Sequence, residues 1–546
     1  MQGNKAYQEK LFVSFQLSQV VPQQNFYRRL KSILDLDFLL KDTATYYGTC
    51  GQKSIDPRVF FKLCLVGYME NIVSDRKLIE HCSMRLDILY FLGYDIDEPL
   101  PWHSTVSRTR QLFPEEVFEN VFTNIFALCV ESGLVSGHTQ VTDAAPIKAN
   151  ASMDSLELKV PEEDLKAHLS KIRAISNADK AKYSNPARKA KHNKATPDQQ
   201  KVTATKEELN EIAARQKKWS TTQDTRQGAK STRSKYTSNK THYSPTDPDA
   251  RISVKPGKAR KLNYHGNITV DTSYNVITDV QAYHADRVDS KNLQDIITRT
   301  DRRLKQNGLL WANILADAGY SSAENYRFLE EKHLISYIPK HGTFKGGPEG
   351  FTYVKEQNYW ICPQGKSVVF KKQKYSNDSL QNHYYTRRSD CKNCSQKAAC
   401  IGKSYEKKIA ITAYLDEYNR NNQRVNSTWG KRMKGKRQST VEPAWGTLTQ
   451  FLGLRKIYTL GIAQANKVVH LAACAYNLKK LLKYNTNKIE TWVSTQNAKI
   501  LSLYALISAI WPSYYRLLLE ILGIKQILTS SLKIIDTTQM NYKHIK

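Results

Sequence analysis

Three acids, Asp143, Asp317 and Glu442, are the residues of this 546-residue chain whose types and settings point most clearly to chemistry. Asp317 closes the apolar part of WANILADAGYSS, Trp311 to Ser322; Gly319 then allows a tight turn, and Ser321 with Glu324 has capping-box spacing for a following helix. A strand that stops at an acid and turns into a helix places that acid at the rim of an α/β sheet, where open sheets carry their sites. QVTDAAPIKA, Gln140 to Ala149, reads the same way, as a strand ending at Asp143 with Pro146 just beyond. Glu442 lies beside Pro443, tolerated in a helix's first turn, and Thr440 is placed to cap that helix. Each acid alone has a plainer reading, as a strand-end Asp capping a turn or as an ion-pair partner within the basic cluster Lys434, Lys436, Arg437, Arg455 and Lys456. Brought to one sheet edge, the three would be hard oxygen ligands suited to Mg²⁺, or Mn²⁺ in its place, with the remaining contacts taken by substrate phosphates. Two such ions about 4 Å apart would serve an in-line phosphodiester displacement.

A second constellation is Cys362, Cys391, Cys394 and Cys400. A CxxC pair with two further cysteines suits tetrahedral thiolate coordination of a structural Zn²⁺, which would staple a small β insertion lacking its own core. Four unligated thiols is the alternative, and redox use of the CxxC is disfavoured because no βαβ pattern precedes it. Cys50, Cys64, Cys82, Cys129 and Cys474 sit mostly in helical patterns among apolar neighbours and read as buried small hydrophobes.

These residues need positioning elements. From Asn25 to about Ser136 the apolar spacing is helical, with Ser74 and Asp75 as a cap and PWHSTVSRTRQLF giving a turn, a Ser104 cap and a short helix bearing Arg108 and Arg110. Small helices with one basic face fit a helix-turn-helix-like DNA reader, and equally a bundle with a solvated Arg face. Residues 137–149 form the first strand. Residues 150–261 turn to Lys, Ala, Ser, Thr and Asn and read as an inserted basic arm, partly helical and partly disordered, able to track a phosphate backbone. Residues 262–339 give a β-hairpin around Asp271 to Asn275, a helix capped by Asp289, the Asp317 strand, a helix and a strand at Leu334 to Ile338. The order makes a mixed α/β sheet. Residues 340–409 are the Cys-rich β insertion, 410–485 return to the core with the Glu442 helix, and 486–546 read as amphipathic helices covering the sheet or meeting a partner.

The totals narrow the partner. Lys plus Arg number 82 against 51 Asp plus Glu, a net charge of +31, so polyphosphate is the leading ligand class. There is no secretory signal pattern at the start, and the longest charge-free apolar run, Ile500 to Tyr515, is shorter than a membrane span and contains Pro512. The expectation is a cytoplasmic chain of several folded units without a membrane partner.

TDAAPIKANAS, ADAGYSS and STVEPAWG, in that order and with the Cys-rich insertion between the last two, resemble the DDE transposases of bacterial insertion sequences. The resemblance extends over nearly the whole chain, including PWHSTVSRTR near the start and AYNLKKLL towards the end. It implies a ribonuclease-H-like α/β core behind an all-α DNA-binding region, with Asp143, Asp317 and Glu442 as the metal-binding triad. It also implies that Arg437 corresponds to a basic residue contacting DNA. Where a related branch carries Tyr, Arg and Lys around its glutamate, this chain has Gly435, Gln438 and Thr449. The implied activity is binding of terminal inverted repeats, Mg²⁺-dependent end cleavage and transfer of the freed 3′-hydroxyl to target DNA, by a homodimer on DNA. A metal-dependent nuclease without strand transfer and a non-catalytic DNA-binding descendant are the other classes.

Overall fold

The computed structural model describes residues 14–48, 54–158, 242–253, 260–342, 347–376 and 379–485, with Lys5 and Asn239 besides. Most of the basic arm, the segment 486–546 and Cys50 lie outside the described residues. Residues 1–481 form one compact unit, and of the second, 482–546, only the first four residues are described.

Helices are labelled here where they have seven residues or more. The first six, α1 (Phe26–Ile33), α2 (Pro57–Met69), α3 (Asp75–Ser83), α4 (Leu86–Leu92), α5 (His103–Leu112) and α6 (Glu115–Glu131), occupy the stretch read as helical. Pro57 at the first position of α2 and the Asp56 side chain accepting from Arg58 N–H start that helix as local rules require. On α6, Val117, Phe118, Val121, Phe122, Ile125 and Phe126 make a buried stripe at three- and four-residue spacing; beside it Phe60 packs edge to face on Phe113, Phe61 edge to face on Phe118, and Phe61 and Phe113 stack. Two expected caps are not made. Ser74 precedes α3 without a side-chain capping bond, and α5 begins at His103, so Ser104 lies inside it.

The central sheet has the strands β1 (Thr139–Lys148), β4 (Arg251–Ser253), β5 (Lys261–Asp271), β6 (Ile277–His284), β7 (Asn313–Leu315) and β8 (Ile335–Tyr337). A two-stranded pair, β2 (Glu157–Leu158) with β3 (His242–Tyr243), stands apart. The long hairpin β5–β6 is antiparallel and β5 runs antiparallel to β1, while β1, β7 and β8 are mutually parallel. β4 also pairs with β5, so the sheet reaches into the stretch whose composition reads as arm. Helix α7 (Asp289–Gln306) joins β6 to β7 and α8 (Ala323–Glu331) joins β7 to β8, burying Leu293, Ile296, Ile297, Tyr326 and Leu329.

β6 is an edge strand, and its outward backbone groups are met by side chains from the helix over 462–481. Ile277 N–H donates to Asn477 Oδ1 (2.9 Å), Asn477 Nδ2 donates back to the Ile277 carbonyl (2.8 Å), and Ala282 N–H donates to Asn466 Oδ1 (2.6 Å). A covered edge cannot recruit another strand. Asn477→Ala leaves a buried donor and acceptor unpaired and is expected to cost about 1–3 kcal/mol, read as a lowered urea midpoint with unchanged m. No helix of the described residues is long and apolar enough to cross a membrane.

The Cys-rich region is a five-stranded antiparallel sheet, β9 (Thr352–Val354), β10 (Tyr359–Ile361), β11 (Ser367–Ser376), β12 (Ser379–Tyr385) and β13 (Lys408–Thr412), in the order β13-β12-β11-β10-β9. The expectation that it lacks a core is corrected: Trp360, Val368, Tyr384, Ile409 and Ile411 are buried together on one face. From β13 the chain enters α9 (Leu415–Asn426) and then α10 (Thr428–Phe451).

Candidate active site

Parallel register explains why two acids far apart in sequence meet. Val141 of β1 pairs with Leu315 of β7, the last pair before β7 ends. Asp143 and Asp317 each lie two residues beyond that pair, on the same faces as Val141 and Leu315. At Asp317 the chain leaves the sheet in a single 3₁₀ turn, with Gly319 N–H donating to Asp317 Oδ1 (2.9 Å). Ser322, not Ser321, then caps α8, accepting from Asn325 N–H, while Glu324 bonds to Ser379 and Leu380 of β12 instead of returning to the cap. The strand carrying Asp143 is longer than expected: it runs through Pro146 to Lys148, so Asp143 is mid-strand. Beyond Val141 the β7 side of β1 has no strand partner among the described residues, which is where a proline is tolerated. The segment after α10 takes up that side lower down, with Ile457 N–H donating to the Lys148 carbonyl (2.9 Å).

Burial, then the charge of Asp317, push the Asp143 carboxyl up to about 6; Arg437 pulls the other way, its Nη1 standing 3.8 Å from Asp143 Oδ1. Asp289 adds to the upward push. This acid was read only as a helix cap, yet Val288 is the cap residue and makes no capping bond. Asp289 instead faces His265 (Nε2 to Oδ1, 3.3 Å), and a Cβ built at Gly319 would lie within 3.0 Å of both Asp289 Oδ2 and Asp317 Oδ1. A side chain at Gly319 would press on both carboxylates. His265, Asp289, Gly319 and Ser321 line an open cavity of about 610 Å³ beside the acids. No local sequence signal marks Asp289; the register of β1 with β5, which sets His265 opposite Pro146 just past Asp143, is what brings its histidine partner to the site.

Ionising Asp143 in the folded protein is unfavourable, so its contribution has a definite sign. In chelator, stability falls as pH rises from 3.8, the ordinary value, to about 6, and levels off above. The slope from this one group reaches about 1.4 kcal/mol per pH unit at most. The difference in urea stability between Asp143→Asn and the natural chain is expected to grow across that window; a constant difference would show an unperturbed carboxyl.

Glu442 sits otherwise than expected. α10 starts at Thr428 with Ser427 as its cap, so Pro443 is internal and Thr440 caps nothing; its hydroxyl donates to the Lys436 carbonyl (2.8 Å). Pro443 and Ser439 are both exposed, so the carbonyl that loses its helical donor faces water. α10 docks through Val441, Ala444, Trp445 and Leu448, with Trp445 against Gly266 of β5, where a Cβ would meet it at 3.0 Å. Glu442 is exposed, five residues beyond Arg437 and so roughly 140° further around the helix. Arg437 is the α10 side chain within ion-pair reach of Asp143.

Of the other basic candidates, Arg108, Lys436 and Arg455 are exposed and Lys456 lies over the Tyr458 ring at 4.7 Å. Arg110 is corrected: it turns inward to a two-pronged pair with Asp75 (2.7 and 2.8 Å), joining α5 to α3, and is not on a free basic face. Cys362, Cys391, Cys394 and Cys400 all line one small cavity, and Lys366 N–H donates to Cys362 Sγ (3.3 Å). Among the described residues no three His, Cys, Asp or Glu side chains are gathered closely enough to hold a metal ion. Zinc is thus not supported among the described residues, where the β insertion packs around its apolar core. Cys64, Cys82, Cys129 and Cys474 are buried as expected.

Residues 15–112 match the model of a transposase domain, DUF772, and residues 361–482 that of a transposase DDE domain. The second match contains Arg437 and Glu442, and Asp143 and Asp317 lie between the two. No curated protein matches the chain. Among solved structures, a piggyBac transposase synaptic complex with hairpin DNA is similar at 10% identity over 86% of this chain and 75% of that one, with a TM-score of 0.28. A Mos1 transposase paired-end complex with the left transposon end is similar at 10% identity over 57% and 67%, with a TM-score of 0.15.

Proposed function

The chain carries a DUF772 transposase domain and a transposase DDE domain, and on that premise we propose that it cuts the ends of its own insertion sequence and joins them to target DNA. The core is read as ribonuclease-H-like, with the sheet order β6-β5-β1-β7-β8 supporting that reading. The observation that carries the proposal is the in-register pairing that sets Asp143 beside Asp317 where β7 ends. Two buried-edge carboxylates with the Asp143 proton held up to about 6 are an excess of negative charge that a divalent cation relieves. Mg²⁺ is commonly held by one or two carboxylates plus substrate phosphates, so the pair fits it without a full protein cage. Asp143 and Asp317 would hold the ion, with Glu442 completing the set once DNA is present. Mg²⁺ or Mn²⁺, as a pair of ions there, would supply activation of the attacking oxygen and stabilisation of the leaving one.

The chain's own residues do the rest. Gly319 N–H donates to Asp317 Oδ1 and fixes that carboxylate. Arg437 partly offsets the charge of Asp143 at rest and, on this reading, exchanges that carboxylate for a DNA phosphate when the substrate arrives. Exposed Lys436 and Arg455, with Lys456 beside them, supply grip on the polyanion around the acids. Binding of terminal inverted repeats and pairing of two ends by a homodimer belong to the same proposal.

A plasmid carrying the gene with its native flanking DNA tests it, the natural chain being compared with Glu442→Gln. Excision and insertion products that vanish in the variant are expected. Breaks without joined products would make the protein a hydrolytic nuclease, and joined products from Glu442→Gln would remove that residue from the triad.

A further inference from the structure

The five-stranded sheet β9–β13 has a second face that the apolar core does not use. Strand register assigns the residues to it: Val369 pairs with Tyr385 and Tyr359, His383 with Lys372, Gln381 with Lys374, and Tyr385 with Lys408. The shift in register between Phe370 and Lys372 is what turns Lys372 and Lys374 to this side, opposite Phe370 and Tyr384. Lys372, Lys374 and Lys408 are exposed, Val369 is 42% exposed, and Tyr359, His383 and Tyr385 are half-buried.

This face is basic and aromatic at once. Lys408 Nζ lies 5.6 Å from the Tyr385 ring centre and 3.8 Å from the Glu406 carboxylate. Lys372 and Lys374 have no acidic partner among the described residues. Between Lys366 and Lys408 the sequence places eleven Lys and Arg against three Asp and Glu. Uncompensated ammonium groups in rows on a twisted sheet repel one another, an arrangement that a polyanion relieves by releasing its condensed counterions. The apolar core on the other face fixes the strands, so the cations are carried on a preorganised surface.

We propose that the face of β11, β12 and β13 bearing Lys372, Lys374 and Lys408 is a docking surface for duplex DNA, separate from the acids and read through its phosphates. The inference rests on the transposase reading for the identity of the polyanion. It gives the Cys-rich insertion a role as a second grip on the DNA that the catalytic acids cut.

Fluorescence anisotropy of the full chain with a short random-sequence duplex, repeated over a series of salt concentrations, tests it. The variant combines Lys372→Gln, Lys374→Gln and Lys408→Gln; a companion replaces the same three by Arg. Loss of three phosphate contacts is expected to make the slope of log affinity against log salt shallower by roughly 2 to 3 and to weaken binding by about tenfold or more at physiological salt, with the Arg companion restoring both. An unchanged slope in the Gln variant, with the natural chain binding normally, overturns the face and leaves the transposase reading standing. Weakened binding that Arg does not restore also overturns it, as a structural effect. Absence of salt-dependent binding by the natural chain would remove both readings.

Discussion

Replacing Asp317 by Asn is expected to abolish end cleavage, by on the order of a thousandfold or more, while DNA affinity stays within a few-fold of the natural chain. The magnitude follows from the several kcal/mol that a correctly held cation contributes to the transition state of phosphodiester displacement. The fold should tolerate the change, because Gly319 N–H needs only a carbonyl-type acceptor at Oδ1, and an amide oxygen provides it. What the substitution removes is the negative charge of the carboxylate. Asp143→Asn should behave alike, with Arg437 left without its carboxylate. Gel-based cleavage of an end-containing duplex, set beside anisotropy on the same DNA, reads both quantities. Joint loss of cleavage and binding would make the acid a structural one.

The largest expected effect on stability lies away from the acids, at Asp279 of β6. Its carboxylate is wholly buried between Arg299 and Arg303 of α7, and Arg303 is itself 97% shielded from solvent, at 3% exposure. Burial alone would raise the acid, yet the two guanidinium groups hold it below the ordinary range. The same arginines reach Glu119 of α6 (3.0 Å from Arg303, 3.6 Å from Arg299), and Arg303 lies over the Phe122 ring at 4.9 Å. The cluster thus joins the helical N-terminal region to the sheet. Asp279→Ala leaves two shielded guanidinium groups facing Glu119 without the buried carboxylate between them, and is expected to cost about 3–5 kcal/mol. Because the native carboxyl is depressed, its stabilisation is present above the ordinary carboxylate pKa and is lost as pH falls through the lower native value. Urea unfolding of the two chains at neutral and acidic pH checks both points: the gap should be wide at neutral pH and narrow in acid.

Much of this architecture was legible because each element announced itself locally. The hairpin around Asp271 to Asn275, the helix from Asp289 and the strand before Asp317 all carry period-two or helical patterns that burial then satisfied. The site was less legible, since its assembly depends on register between strands remote in sequence. Nothing near Asp143 says that Val141 pairs with Leu315, or that Asp289 comes round to the same carboxylates. Proline misled twice for one reason. Pro146 and Pro443 were taken as boundaries, but one sits on an open strand edge and the other on the wet face of a long helix, where a missing N–H goes unneeded. Arg110 misled differently: a basic residue on a short helix looks free until Asp75, thirty-five residues away, is brought against it.

The central claim, that Asp143 and Asp317 together hold the divalent ion, is tested most directly by substituting Fe²⁺ for Mg²⁺ and generating hydroxyl radicals at the bound ion with ascorbate and peroxide. Chain scission mapped by mass spectrometry is predicted at β1 around Asp143 and at the turn after Asp317, suppressed by excess Mg²⁺ and lost in Asp317→Asn. Scission confined to other parts of the chain, or undiminished in Asp317→Asn, would contradict the account.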